Sequence, residues 1–225
     1  MWVIAHRGGS QLYPENTLTA FRQAEALGVD MIECDVHVSR DGELMVIHDS
    51  TLDRTGGQSV RVADLTAQEL AQVDVGQGQG VPTLREILST LHIPVAVEIK
   101  TMAVVEGLLR LFASDASLVQ RVTPLSFHHR AIKELTERVP GLEAGVLLVG
   151  APVDLAHMVR AAGVRLASLK YDLVNRDLVH EMHREGILVG VWTVNDPAAI
   201  ASMVDAHVDA IGSDRPDLVL KALGR

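Results

Sequence analysis

The chain has 225 residues, 48% of them hydrophobic and 22% charged, with a formal net charge of −9 and a single cysteine. That length suits one (β/α)8 barrel or one to two smaller domains, and it can bury a full core without disulfides or a structural metal. The lone Cys34 excludes an intramolecular disulfide and a cysteine-based zinc site, the acidic balance argues against nucleic acid and stable membrane association, and no stretch approaches 18 apolar residues.

Short β-branched apolar runs predict parallel strands at Trp2–His6, Asp30–Asp35, Val95–Lys100, Val122–Phe127, Ala144–Val149, Arg165–Lys170, Leu188–Val194 and Ala210–Asp214. Helical patterns fall between them, near Glu15–Leu27, Thr83–Leu91, Val104–Ala113, Ala131–Val139, Val153–Ala162, Asn175–Glu185 and Pro197–Asp205, with a last one over Pro216–Leu223. Leu27-Gly28 reads as a helix end, and Asp196-Pro197 and Asp214-Arg215-Pro216 read as helix starts. Eight strands, each followed by a helix, predict an α/β fold, a (β/α)8 TIM barrel; an open doubly wound sheet is disfavoured because no G-x-G-x-x-G follows the first strand. Residues 1–225 read as a single domain.

One segment breaks the alternation. Val36–Arg40 runs into Asp41-Gly42, and Glu43–His48 is again extended, which is the pattern of a β-hairpin. Its second arm must return antiparallel over the barrel's C-terminal rim, bringing His48 near Glu33 and Asp35. An excursion over about residues 50–80 follows, with Thr66-x-x-Glu69 as a capping box and Gly76–Gly80 as a mobile loop.

Barrel enzymes place their chemistry at the C-terminal ends of the strands. The first strand ends in His6-Arg7-Gly8, the second in Glu33-Cys34-Asp35, the third in Glu98-Ile99-Lys100, and the hairpin returns His48-Asp49. Residues two apart on a strand share a face, so Glu33 and Asp35 point into the mouth with Glu98 and Lys100, while Cys34 faces the helices. Three crowded carboxylates repel one another, and a hard divalent cation relieves that repulsion using their oxygens as ligands. Oxygen ligands favour Mg2+ or Ca2+, with Mn2+ also accommodated, over zinc. His6 and His48 flank the proposed ion as an acid–base pair, and Arg7 and Lys100 bring the positive charge that a phosphate needs. Lys100 also serves to neutralise Glu98 or Glu33. His37, His128 and His129 lie near the mouth without an assigned partner, and the remaining histidines read as structural.

These residues resemble the glycerophosphodiester phosphodiesterase family. The likeness runs in order through His6-Arg7-Gly8, Pro14-Glu15-Asn16-Thr17, Glu33-Cys34-Asp35-Val36, Asp41-Gly42, His48-Asp49 and Leu52-Asp53-Arg54-Thr55, and continues to Glu98-Ile99-Lys100, Trp192-Thr193-Val194-Asn195 and Ser213-Asp214-Arg215-Pro216. It implies a barrel with a rim insertion that hydrolyses a small glycerophosphodiester to glycerol 3-phosphate and an alcohol, with the glycerol hydroxyl or water as first nucleophile. It further implies Glu33, Asp35 and Glu98 as metal ligands, His6 and His48 as the acid–base pair, Arg7 and Lys100 as phosphate-binding groups, and Trp192 as an apolar wall of the substrate site, with Glu15 ordering the first loop. The free thiol and the start of the chain on the His6 strand point to a cytoplasmic protein. Other readings are a phospholipase D-type enzyme acting on lysophospholipids or phosphoinositides, a non-catalytic phosphate-binding barrel, and a metal-assisted lyase that would leave two histidines and Arg7 unexplained.

Overall fold

The computed structural model describes residues 1–150 and 152–225. In chain order it holds β1 (Trp2–Ala5), α1 (Leu18–Leu27), β2 (Met31–Val38), β3 (Leu44–Val46), α2 (Asp53–Gly56), α3 (Ala67–Leu70), α4 (Leu84–Thr90), β4 (Val95–Ile99), α5 (Ala103–Ser114) and β5 (Val122–Ser126). There follow α6 (His129–Arg138), β6 (Gly145–Leu148), α7 (Leu155–Ala161), β7 (Leu166–Lys170), α8 (Arg176–Arg184), β8 (Leu188–Trp192), α9 (Pro197–Asp205), β9 (Ala210–Ser213) and α10 (Pro216–Ala222). All strands but β3 pair in parallel, and β1 closes the ring by pairing with both β9 and β2. The result is the predicted (β/α)8 barrel, with β3 laid antiparallel against β2 in the register Val36↔Val46, His37↔Met45 and Val38↔Leu44.

Alternation on each strand sorts the side chains. Val3, Ala5, Ile32, Cys34, Val36, Val95, Val97, Ile99, Val189 and Val191 face outward into one apolar core shared with the helices. The inward positions form a small second cluster of Met31, Ala96, Leu125 and Leu147, with Ile4, Leu166 and Trp192 packed on it. This cluster is the floor on which the polar rim stands.

Local chemistry accounts for where the elements start and stop. The first helix begins three residues later than its pattern predicts, because Asn16 takes φ 57 and the Thr17 hydroxyl accepts the Ala20 N–H at 3.2 Å as the cap. Asp196 caps α9 as expected, accepting from Ala198 and Ala199, and Gly28 ends α1. By contrast α10 has no side-chain cap, because Asp214 turns into the barrel instead.

The insertion has its own core: Met45, Ile47, Leu52, Val62, Leu70, Val73 and Val81 bury one another apart from the main cluster. The Thr66/Glu69 capping box forms as predicted. The Gly76–Gly80 stretch, expected to be mobile, is a hydrogen-bonded turn. Asp74 Oδ1 accepts the Gly76 and Gly78 N–H groups at 2.8 and 3.0 Å, and the Thr19 hydroxyl donates to Gln79 at 2.8 Å.

Gly8 shows how tightly the first strand's end is held. It takes φ +81, and an added Cβ would stand 2.8 Å from Ala20 Cβ and 3.1 Å from the Ala20 carbonyl carbon, against the start of α1. Gly8→Ala should therefore destabilise the protein by about 1–3 kcal/mol, combining a disfavoured backbone angle with a clash against main chain. Urea unfolding of the purified variant measures it, and an unchanged midpoint would contradict this account.

Candidate active site

Strand register sets the levels of the rim. Ala5 pairs with Ile32 on one side and with Ser213 on the other, so the next residue, His6, stands level with Glu33 and with Asp214. On β2 and β4, Asp35 pairs with Glu98. The hairpin returns over this edge, and the Ile47 N–H donates to the Asp35 carbonyl at 2.9 Å, which sets His48 beside the mouth. His6, Arg7, Glu33, His48, Glu98, Lys100 and Trp192 line one cavity of about 150 Å3. Asp35 lies just beneath them, fully buried. All eight residues singled out from the sequence are therefore gathered at one end of the barrel.

The carboxylates are crowded as expected. One oxygen from each of Glu33, Asp35 and Glu98 lies within 4.8 Å of the others. Asp35 is held by Lys100 Nζ at 3.0 Å, Arg7 Nε at 3.2 Å and the Asn16 amide at 2.8 Å. Burial opposes its charge, but Lys100, Arg7, His48 and Asn16 outweigh it, and the carboxyl titrates below its ordinary value. Lys100 also bonds Glu98 at 2.6 Å, so the neutralising partners of Lys100 are Glu98 and Asp35, not Glu33. Glu33 receives only the Arg7 backbone N–H at 3.0 Å and the edge of His6 at 3.9 Å. Burial and the neighbouring Asp35 push it up to about 7.

This group fits a divalent cation. The oxygens are spread over a distance that one ion with contacts of roughly 2.0–2.6 Å can bridge. Asp35 Oδ1 is buried without a well-formed hydrogen bond among the described residues. Added positive charge here would let Glu33 ionise at neutral pH.

Each histidine is fixed by its own acid. His6 Nδ1 lies 2.6 Å from Asp214 Oδ1, and His48 Nδ1 lies 2.7 Å from Asp49 Oδ1. Burial raises the Asp214 carboxyl, but bonds from His6, Ser10 and Asn195 overcome this and bring it down to about 2, so it accepts and the imidazole Nδ1–H donates. Burial likewise works against a charged His6, yet Glu33 and Asp214 together raise it above its ordinary value. In both rings Nδ1 is engaged, leaving Nε2 as the atom available for proton transfer.

Trp192 forms the apolar side with Phe127, ring centroids 5.5 Å apart and edge-on at 82°, and its indole N–H donates to the Ser168 carbonyl at 3.1 Å. Glu15 accepts from Arg7 at 3.2 Å and from Arg54 at 2.7 and 2.8 Å, which ties down the first loop. His37 is buried on β2 with its Nε2 3.0 Å from the His48 carbonyl, so it braces the returning loop; His129 bonds the Leu147 carbonyl, and neither it nor His128 lines the cavity. Sequence reasoning missed Asp214, Asn16, Asp49 and Arg54 as site residues. The signal for Asp214 was its place at the end of the eighth barrel strand; it was read as a helix-start acid instead.

Comparison with known proteins places these motifs in context. Residues 6–218 match the model of the Glycerophosphoryl diester phosphodiesterase family. A glycerophosphodiester phosphodiesterase of Caldanaerobacter subterraneus subsp. tengcongensis is 33% identical over 233 residues, covering 97% of this chain and 96% of the relative. A solved glycerophosphodiester phosphodiesterase of Parabacteroides distasonis superposes with a TM-score of 0.86 at 26% identity, over 99% of this chain and 96% of that one. An Oleispira antarctica phosphodiesterase, solved in complex with the product sn-glycerol-3-phosphate, shares the fold with a TM-score of 0.91 at 23% identity, over 100% of this chain and 97% of that one.

The His6–Asp214 pair leaves a signature in stability. Asp214, depressed to about 2, contributes stability that is fully present above its ordinary value of 3.8 and is lost as pH falls through about 2. His6, raised, contributes below its ordinary value of 6.5 and loses that contribution as pH rises through its higher folded value. Asp214→Asn should therefore cost about 1–3 kcal/mol, with the gap to wild type widest between about pH 4 and 6.5 and narrowing on either side. Urea unfolding across that range checks it; a gap independent of pH would contradict the pairing.

Proposed function

Because the chain belongs to the glycerophosphoryl diester phosphodiesterase family, and is thereby a phosphoric diester hydrolase that cleaves glycerophosphodiesters to glycerol 3-phosphate and an alcohol, we propose how its own residues divide that work. Residues 1–225 act as one catalytic domain, with the insertion over about residues 50–80 covering the substrate. The observation that carries the reading is the pair of carboxylate-held imidazoles lining one cavity with the acidic cluster.

Glu33, Asp35 and Glu98 hold a divalent cation, Mg2+ or Ca2+ by the hardness of the oxygen ligands, with Mn2+ accommodated by the same set. When bound, the ion supplies positive charge against the phosphate oxygens as the phosphorus becomes pentacoordinate. Arg7 and Lys100 add to it. Lys100 makes its hydrogen bond to Glu98 and an ion pair with Asp35, and the second Arg7 Nη makes no hydrogen bond among the described residues, so both retain donors for phosphate. One imidazole takes the proton of the attacking hydroxyl at Nε2, and the other gives its Nε2 proton to the departing alkoxide as the phosphorus–oxygen bond breaks. Trp192 and Phe127 form an apolar wall that excludes water from one flank. Among the described residues no helix is long and apolar enough to cross a membrane. The single buried thiol fits a reducing, cytoplasmic compartment, and the formal net charge of −9 fits an enzyme acting on a small molecule without nucleic acid or a stable membrane partner.

A second reading has one observation in its favour. Met102, Phe127, Val149 and Val153 stand exposed on the segments that follow β4, β5 and β6, around the mouth, where an acyl chain of a lysophospholipid would lie. Turnover of lysophosphatidylcholine exceeding that of glycerophosphocholine would select it.

His6→Ala and His48→Ala should each lower kcat on glycerophosphocholine by roughly 10²–10⁴-fold in protein that remains folded at the assay temperature. Activity within a few-fold of wild type in both would end the acid–base assignment. Addition of Mg2+, Ca2+ or Mn2+ to EDTA-treated protein should raise its midpoint, by the equivalent of about 2.7 kcal/mol at a hundred times Kd. Glu98→Gln should remove that rise; a rise undiminished in the variant would place the ion elsewhere.

A further inference from the structure

The insertion contributes one side chain that touches both halves of this machinery without lining the cavity. Arg54, on α2, spends all three guanidinium nitrogens on two carboxylates. Its Nε donates to Asp49 Oδ2 at 2.6 Å, Nη1 to Glu15 Oε2 at 2.8 Å and Nη2 to Glu15 Oε1 at 2.7 Å. Those carboxylates are the immediate partners of two groups in the site. The other oxygen of Asp49 holds His48 Nδ1 at 2.7 Å, and Glu15 Oε1 also accepts Arg7 Nη1 at 3.2 Å. His48 comes in on the hairpin and Arg7 leaves from β1, 41 positions apart in sequence (48 − 7). Among the described residues, the run of side chains joining them is His48–Asp49–Arg54–Glu15–Arg7.

We propose that Arg54 is a positioning residue, a planar clamp that sets the distance and orientation between the imidazole of His48 and the guanidinium of Arg7. Three features point this way rather than to a stabilising surface pair. The Arg54 side chain is 48% exposed, and ion pairs as exposed as that contribute little to stability. Its geometry is bidentate toward Glu15 with a third bond at a fixed angle to Asp49, an arrangement that specifies orientation and that an ammonium cannot reproduce. Finally, each carboxylate is divided between Arg54 and a site group: Asp49 gives one oxygen to Arg54 and the other to His48, and Glu15 gives both oxygens to Arg54 and shares Oε1 with Arg7. The clamp also links the insertion to the barrel: Leu52, immediately before α2, belongs to the insertion's own core, while Glu15 belongs to the loop that leads into α1.

The inference rests on the roles given to His48 and Arg7, so the test compares Arg54 variants with variants of those two residues in one assay on glycerophosphocholine with the metal-loaded enzyme. Arg54→Ala should lower kcat, through His48, and raise KM, through Arg7, for a combined loss in kcat/KM of roughly 10–100-fold at an unchanged thermal midpoint. Arg54→Lys should recover only a minor part of the loss. Added methylguanidinium should restore activity to Arg54→Ala and do nothing for His48→Ala. Glu15→Gln combined with Arg54→Ala should cost no more than the worse single variant, since both break the same run. Arg54→Ala with kcat and KM within two-fold of wild type, full recovery by lysine, or additive losses in the double variant would each overturn the clamp. An active His48→Ala enzyme would instead overturn the catalytic reading itself, so the two failures are distinguishable.

Discussion

Everything at the rim follows from packing three carboxylates into the mouth of a barrel. Asp35 has no exposure and Glu33 almost none, and like charges at that depth cannot all be ionised unless something positive is close. The protein supplies part of that charge itself. Lys100 lies against Asp35 and Glu98, Arg7 against Asp35, and the buried Asn16 amide takes one of the remaining lone pairs. Among the described residues no lysine or arginine side chain lies against Glu33, which has the His6 ring edge at 3.9 Å, and burial and Asp35 push its carboxyl up to about 7. The three carboxylates thus outnumber the lysine and arginine side chains against them, a balance that a divalent cation would complete.

The proposed proton transfer rests on a second, repeated device. Two histidines from different segments each lean on a carboxylate through Nδ1, and both line the shared cavity. The two differ in how they are mounted. His6 is rooted in β1 and its partner Asp214 in the segment after β9, whereas His48 rides on the hairpin, where His37 grips its carbonyl and Ile47 is tied back to Asp35. The hairpin therefore carries one of the two imidazoles proposed for proton transfer.

Most of the barrel was readable because its signals are local. Period-two alternation placed Glu33, Asp35 and Glu98 on one face and Cys34 on the other, and Asp41-Gly42 announced the antiparallel return. The misses were of another kind. Asp214 and His6 are separated by 208 positions, and Asp214 precedes Arg215-Pro216, a context in which an acid ordinarily caps a helix. Arg54 sits in a four-residue helix with no buried residue, so nothing periodic marks it. The insertion's core escaped notice for the same reason: Leu52, Val62, Leu70, Val73 and Val81 follow neither a helical nor a strand period, and only the folded loop brings them together.

Strand β2 has to satisfy two demands at once. Ile32, Cys34 and Val36 are bound into the main apolar cluster, while Glu33, Asp35 and His37 between them serve the mouth. Loops elsewhere around the barrel can gain or lose residues and leave the strands in place. A single insertion or deletion within these six positions would exchange the two sets, driving three carboxylate and imidazole groups into the greasy layer and turning a cysteine, a valine and an isoleucine toward solvent and substrate. Changes of length that keep the site intact are therefore restricted to the periphery, and the spacing of this short stretch is as much a part of the site as its side chains.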